Sequence, residues 1–291
     1  MTLQRVATAA VLIPFVVGLV LFGSTAWVAV ALTVVIVLAL REYLALGDAI
    51  GHRAYRVWTM VCAILLVYTQ YVVTLQASYQ LPGGFALHRQ IGRFANGLGA
   101  TQDVFSLFLL GLTLLTLWTK RPLVEALPAA GVSSSALLLV AFPLSFAVRL
   151  HGWSREGPRL LLFALVITWA GDTVAYFVGR AMGKHPFAPH LSPKKTWEGA
   201  AASLVGSLLV GYAFSWWLSA PVPHLLAMAG VGNLAGQAGD LLESAYKRSA
   251  GVKDSGALLP GHGGILDRID ALILAIPAVW YYWSLVYSPG N

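Results

Sequence analysis

Apolar residues run along this chain in long stretches, separated by short charged or Gly/Pro-rich breaks. A helix needs about 20 apolar residues to cross about 30 Å of hydrocarbon. Nine runs reach or approach that length, at 6–22, 25–40, 57–75, 104–118, 129–149, 159–180, 199–217, 224–246 and 265–287. The second and fourth are the shortest. The pattern predicts an all-α integral membrane protein of about nine transmembrane helices, with five in 1–150 and the rest in 151–291. It reads as one integrated domain without repeats, with loops at 181–198 and 247–264. Segment 76–103, with Pro82, Gly83 and Gly84, reads as a loop on the outer side. The first run follows a single basic residue, Arg5, but Pro14 interrupts it and no small-residue cleavage site follows, so it is expected to remain as a helix.

Composition agrees: 58% of the 291 residues are hydrophobic and 11% charged, too little polar surface for a soluble protein. The net charge of +7 depends for its meaning on where the 19 Lys and Arg fall. With nine spans and a cytoplasmic N-terminus, 14 of them lie on the cytoplasmic side and five (Arg89, Arg93, Arg149, Arg155 and Arg159) on the other. The bias favours N-terminus in and C-terminus out, and it makes the positive charge topological, not a nucleic-acid footprint. Cys62, the one cysteine, cannot form an intrachain disulfide. His88 and His151 are isolated and carry no evident chemistry.

The polar residues concentrate near the C-terminus. Of twelve acids, Asp240, Glu243, Asp254, Asp267 and Asp270 fall within 31 residues, and five of six lysines lie between Lys184 and Lys253. Ionisable groups in spans are costly and point to function. In GQAGDLLESAYKR (236–248), Asp240, Glu243, Ser244 and Lys247 follow i, i+3, i+4, i+7 spacing, one polar stripe on an apolar helix. Asp240 lies ~10 Å deeper than Lys247. Asp267 and Asp270 share a face at the start of the last span. Asp240, Asp267 and Asp270 together suit a hard cation such as Mg²⁺. The competing readings are an Asp240–Lys247 structural network and acidic capping of the last helix.

The connector SAGVKDSGALLPGHGG is glycine-rich and is flanked by Lys247, Arg248, Lys253 and Arg268, a combination that could cradle a polyphosphate. A third element surrounds the sixth run. Asp172 and Tyr176 share a helical face, and the following loop carries Lys184, Ser192, Lys194, Lys195, Thr196 and Glu198. Lysines there could bind triphosphate or a lipid phosphate. Alternatively Lys194 and Lys195 serve topology and anionic lipid, and Thr196 serves as an N-cap.

The stretch SAYKRSAGVKDSGALLPGHGGILDRID (244–270) resembles the signature of the phosphatidate cytidylyltransferase, or CDP-diglyceride synthetase, family. Ser244, Lys247, Arg248, Lys253, Asp254, Gly256, Leu259, Pro260, His262, Gly263, Gly264, Asp267, Arg268 and Asp270 match in order and spacing. Tyr246 is aromatic where the family often has an aliphatic residue. A second stretch, from Asp172 through Ser192-Pro193-Lys194-Lys195-Thr196 to Gly199, is also similar, though Ala200 and Ala201 replace a frequent glycine pair. The resemblance implies a helical membrane fold, a homodimer, and transfer of the cytidylyl group of CTP to phosphatidic acid at the cytoplasmic face of the cell membrane. It also implies a paired-cation site on Asp240 and Asp267, holding Mg²⁺ with room for a second cation, K⁺ or Mg²⁺. Asp240, Lys247, Asp267 and Asp270 are then the expected catalytic residues. Ser192, Lys194, Lys195, Thr196, Ser244, Arg248, Lys253, Asp254, His262, Gly263, Gly264, Arg268 and Asp172 are expected to bind substrate. The alternatives are a CTP-dependent polyprenol or lipid kinase, attacking the γ rather than the α phosphorus, and an ion-coupled transporter. Against the transporter, the first five spans are nearly free of charge. The D-G-x-x-A-R motif of CDP-alcohol phosphotransferases is absent.

Overall fold

The computed structural model describes residues 2–78, 101–258 and 263–287, with backbone alone for 2–9 and 76–78. Among the described residues each of the nine apolar runs is a helix. We number them α1 (Thr2–Phe22), α2 (Thr25–Ala49), α3 (Arg56–Ser78), α4 (Thr101–Trp118), α5 (Leu123–His151), α6 (Gly157–Met182), α7 (Trp197–Ala213), α8 (Val222–Ser249) and α9 (Leu266–Tyr281). Helix α5 passes through a π-helical turn at Leu137–Ala141, and α9 continues into another at Tyr282–Tyr287. Seven of these helices, α2 to α7 and α9, are long and apolar enough to cross a membrane. In α1 the described apolar part, Ala10–Phe22, is shorter. In α8 the polar stripe lowers the mean hydropathy. The expected loop at 76–103 lies largely outside the described residues, together with His88, while Thr101–Asp103 already belong to α4.

Two differences from expectation bear on the site. Helix α2 continues nine residues past the end of its apolar run, because Tyr43, Leu44 and Leu46 keep a buried face beyond Arg41. The loop after α6 is partly ordered as an antiparallel hairpin, β1 (Pro186–Ala188) and β2 (Ser192–Thr196), which adds a small strand component to an otherwise helical fold.

Packing in the C-terminal half depends on small residues, which let helix backbones approach where lipid supplies no hydrophobic drive. A Cβ on Gly239 would lie 2.6 Å from the Asp270 carbonyl oxygen, so α8 and α9 touch nearly backbone to backbone. A Cβ on Gly171 would lie 2.6 Å from Asn233 Nδ2. That amide donates to Ser203 Oγ and Ser207 Oγ, both at 2.8 Å, and Asn233 Oδ1 accepts from Gln237 at 2.7 Å. This buried network joins α7 to α8, and Ser207 Oγ extends it to α6 through the Ile167 carbonyl. Outward faces remain apolar: Phe22, Leu117, Trp118 and Leu285 are each at least 75% exposed.

Contacts between turns fall in two groups. At one end, Arg121 reaches the Arg53 carbonyl, Glu42 meets the start of α9, and Arg248 meets the turn of the hairpin. At the other end, His151 lies 3.0 Å from Thr25 Oγ1 and 3.0 Å from the Val20 carbonyl, Gly152 packs on Thr74, and Tyr287 donates to the Ser219 carbonyl. The C-terminal ends of α2, α4, α6 and α8 thus gather at one end of the bundle. Those of α1, α3, α5, α7 and α9 gather at the other.

Candidate active site

Thr196 ends β2 and caps α7, its hydroxyl accepting from Gly199 N at 3.2 Å. The cap fixes the hairpin at the head of α7 and leaves Lys194 and Lys195 beside α6 and α8. A cavity of about 760 Å³ opens there, lined by Asp172, Tyr176, Lys194, Lys195, Thr196, Gln237 and Asp240 among others. Lys195 is ion-paired with Asp240 across it. Asp172 and Tyr176 line it together, as their i, i+4 spacing predicts. The hairpin is tied back by His185, whose Nδ1 lies 2.6 Å from Glu198 Oε1.

One turn further along α8 the environment is drier. Lys247 Nζ lies 2.5 Å from Glu243 Oε2 and 2.6 Å from Asp267 Oδ1, and the three side chains are only 11%, 3% and 7% exposed. Glu243 Oε1 is buried and accepts no hydrogen bond among the described residues. Asp267 also accepts from Gly264 N at 2.8 Å and from Ser255 N at 3.0 Å. Asp270, one turn on, lies within electrostatic range of Asp240, Glu243 and Asp172. Its Oδ1 accepts from Ala271 N at 2.8 Å. The polar stripe is therefore split: Asp240 turns to Lys195 of the hairpin, and Lys247 to Glu243 and Asp267.

Five carboxylates (Asp172, Asp240, Glu243, Asp267 and Asp270) thus meet two paired ammonium groups, Lys195 and Lys247. This surplus of carboxyl groups over ammonium groups leaves room for a positive partner, and hard carboxylate oxygens suit Mg²⁺. Among the described residues no three of His, Cys, Asp and Glu already form a metal cage. Lysine ammonium groups occupy one side of both expected ligands, Asp240 and Asp267.

A sequence model described as the cytidylyltransferase family matches residues 3–286. The chain belongs to the cytidylyltransferase family. Curated relatives named phosphatidate cytidylyltransferase include one from Haemophilus influenzae, 38% identical over 180 residues, or 58% of this chain and 60% of that protein. One from Bacillus subtilis is 36% identical over 157 residues, 53% of this chain and 58% of that protein. One from Staphylococcus epidermidis is 48% identical over 124 residues, 42% of this chain and 48% of that protein. The chain therefore spans about half to three-fifths of the length of these relatives.

The other residues expected at this cytidylyltransferase-family site are placed as follows. Arg248 donates to the carbonyls of Leu191 at 3.2 Å and Val252 at 3.0 Å, clipping the hairpin to the connector. Ser244 is buried on α8, Ser192 is half-buried at the start of β2, Arg268 is exposed on the first turn of α9, and Lys253 and Asp254 are exposed. His262 lies outside the described residues. Gly263 has φ +83°, a left-handed conformation that favours glycine. Two carboxylates hold the glycine-rich connector and the start of α9. The amides of Ser255 and Gly264 are held by Asp267, and those of Ile265 and Leu266 by Glu42. Glu42 was not among the residues singled out from the sequence. The only local signal was an acid just beyond an apolar run, which reads as a loop residue until α2 is seen to continue past it.

Proposed function

We propose that this protein transfers the cytidylyl group of CTP to phosphatidate, giving CDP-diacylglycerol and diphosphate. The observation that carries the reading is the ion pair between Lys195 and Asp240. It brings Asp240, at the head of the 240–270 stretch, to a cavity of about 760 Å³ lined by residues of the 172–199 stretch, in a chain of the cytidylyltransferase family. The names of the curated relatives support the same reaction.

The lipid phosphate, with a second pKa of about 6, is mostly dianionic at neutral pH and needs no strong base. Its oxygen attacks the α-phosphorus of CTP, the bond from that phosphorus to the β-phosphate bridge breaks, and diphosphate leaves. Catalysis is then chiefly positioning and charge neutralisation. Lys194 and Lys195 draw phosphate oxygens into the cavity. Lys247, Arg248, Lys253 and Arg268 supply positive charge along the α8–α9 side. Asp240 and Asp267, supported by Asp270, would hold Mg²⁺, and a second cation, K⁺ or Mg²⁺, would draw on the same carboxyl groups. When bound, Mg²⁺ would neutralise the triphosphate and take up charge developing on the leaving diphosphate. Ser192, Thr196, Ser244, Asp254, His262, Gly263, Gly264 and Asp172 complete the substrate-binding set.

All nine helices cross the membrane in this reading, with the N-terminus and the site at the cytoplasmic face of the cell membrane. Two observations support it: the sorting of turns by helix parity, and the 14-to-5 distribution of basic residues. The molecule acts as a homodimer. The deciding assay supplies purified protein with phosphatidate, CTP labelled in the cytidine or at the γ position, and varied Mg²⁺. Lipid-bound cytidine with released diphosphate is expected, and Asp240→Asn should abolish turnover in folded protein. Release of CDP with a γ-labelled lipid would make the protein a kinase and overturn the reading.

A further inference from the structure

Glu42 is an acid from the N-terminal half of the chain, far in sequence from every motif residue, yet its carboxylate lies against the candidate site. Oε1 accepts from Ile265 N at 3.0 Å; Oε2 accepts from Leu266 N at 2.8 Å and from Ser255 Oγ at 3.0 Å. Ile265 and Leu266 are the residues at which α9 begins, where the amides have no helical partner of their own. An anion at that end is favoured by the helix dipole as well as by the hydrogen bonds. Ser255 in turn gives its backbone N–H to Asp267. One carboxylate therefore joins α2, the connector and the first turn of α9, one bond away from the Asp267–Lys247 pair.

Two glycines of the connector show that this arrangement is built into the fold. A Cβ on Gly256 would lie 2.6 Å from Glu42 Oε1, and a Cβ on Gly264 would collide with Glu42 Oε2 and Ser255 Oγ. Their lack of a side chain leaves the space that Glu42 fills. Tyr43, the next residue on α2, packs edge-on against Tyr246 of α8 with ring centroids 5.5 Å apart, holding the helix at this position.

We propose that Glu42 is a positioning residue for the transfer reaction: by binding the start of α9 and Ser255, it sets the backbone that aims Asp267 at its cation and at Lys247. The Ile265 and Leu266 amides that Glu42 holds are also withheld from the anionic substrate, so the triphosphate is directed to the lysines and the cation. This rests on the proposed cytidylyl-transfer reading for its kinetic consequence, but not for its structural one.

The test uses the full-length protein and two variants that act from opposite sides. Glu42→Gln keeps the shape but offers one acceptor oxygen where the carboxylate offers two, and Gly256→Ala pushes a methyl into the Glu42 carboxylate. Two readouts are taken: hydrogen exchange of residues 254–268, with α3 as internal reference, and steady-state transfer at varied Mg²⁺. Weakening the anchor, by loss of charge in Glu42→Gln and by displacement of the carboxylate in Gly256→Ala, is expected to lower kcat about 10- to 100-fold, with KM for CTP changed less than threefold. The Mg²⁺ concentration for half-maximal rate should rise. Exchange of the Ile265 and Leu266 amides should speed up while α3 stays protected. If one variant fails to fold, the other carries both readouts. Unchanged exchange at 254–268 and unchanged kcat in a folded variant would overturn the proposal, and so would faster exchange with kcat and Mg²⁺ dependence intact. A wild-type protein that lacks cytidylyl transfer but shows the exchange change would overturn the transfer reading and leave the anchoring role standing.

Discussion

Replacing Lys247 with Met tests whether the buried pair at the α8–α9 junction is an energetic unit. Methionine keeps most of the stem volume, so the loss is electrostatic and not a cavity. Without the ammonium group, Asp267 retains the amides of Ser255 and Gly264, but Glu243 loses the cation next to Oε2 and already has an unpartnered Oε1. Removing one member of a buried ion pair costs about 3–5 kcal/mol. The amides left on Asp267 put the expected loss near the lower end, about 3 kcal/mol, or roughly two orders of magnitude in the folded-to-unfolded ratio. Adding Glu243→Gln should relieve the buried carboxyl left without its lysine beside Asp267 and recover about 1–2 kcal/mol, a coupling of the size seen between contacting residues. Transfer activity should not return in the double variant, because Lys247 is expected to neutralise phosphate. The measurement is reversible unfolding in mixed micelles with increasing SDS fraction, run as a complete double-mutant cycle beside the CTP assay. A Lys247→Met protein as stable as wild type, or strictly additive effects of the two changes, would refute this account of the site.

Two further changes probe the frame around it. Gly171→Ala should cost about 1–3 kcal/mol in the same micelle titration, since the new methyl meets Asn233 Nδ2 at 2.6 Å, Ser203 Oγ at 2.8 Å and Ser207 Oγ at 2.9 Å; an unchanged midpoint would mean that α6 need not sit so close to α7 and α8. Arg248→Ala removes the clip between Leu191 and Val252 on an exposed surface. It should raise KM for CTP about tenfold while stability stays within about 1 kcal/mol, read by initial rates and the same unfolding assay.

Much of the protein is legible in one dimension because membrane helices are set by a local quantity, the length of an apolar run measured against bilayer thickness. The nine helices numbered among the described residues, the Thr196 cap, and the shared face of Asp172 and Tyr176 follow from residues within a few positions of one another. The density of acids and lysines between 172 and 270 marks the site for a similar reason: charge is costly in a span, wherever the span goes. Which charge meets which could not be read this way. Spacing alone offered Asp240 to Lys247 on one helix, whereas close glycine packing of α8 on α9 and the capped hairpin give Asp240 to Lys195 and Lys247 to Asp267. The connector glycines read from the sequence as openings for phosphate, and it takes the fold to show that two of them, Gly256 and Gly264, also make room for Glu42. Glu42 lies more than two hundred residues away in the chain. Such pairings depend on how helices distant in sequence are brought together, and only the tertiary structure decides that.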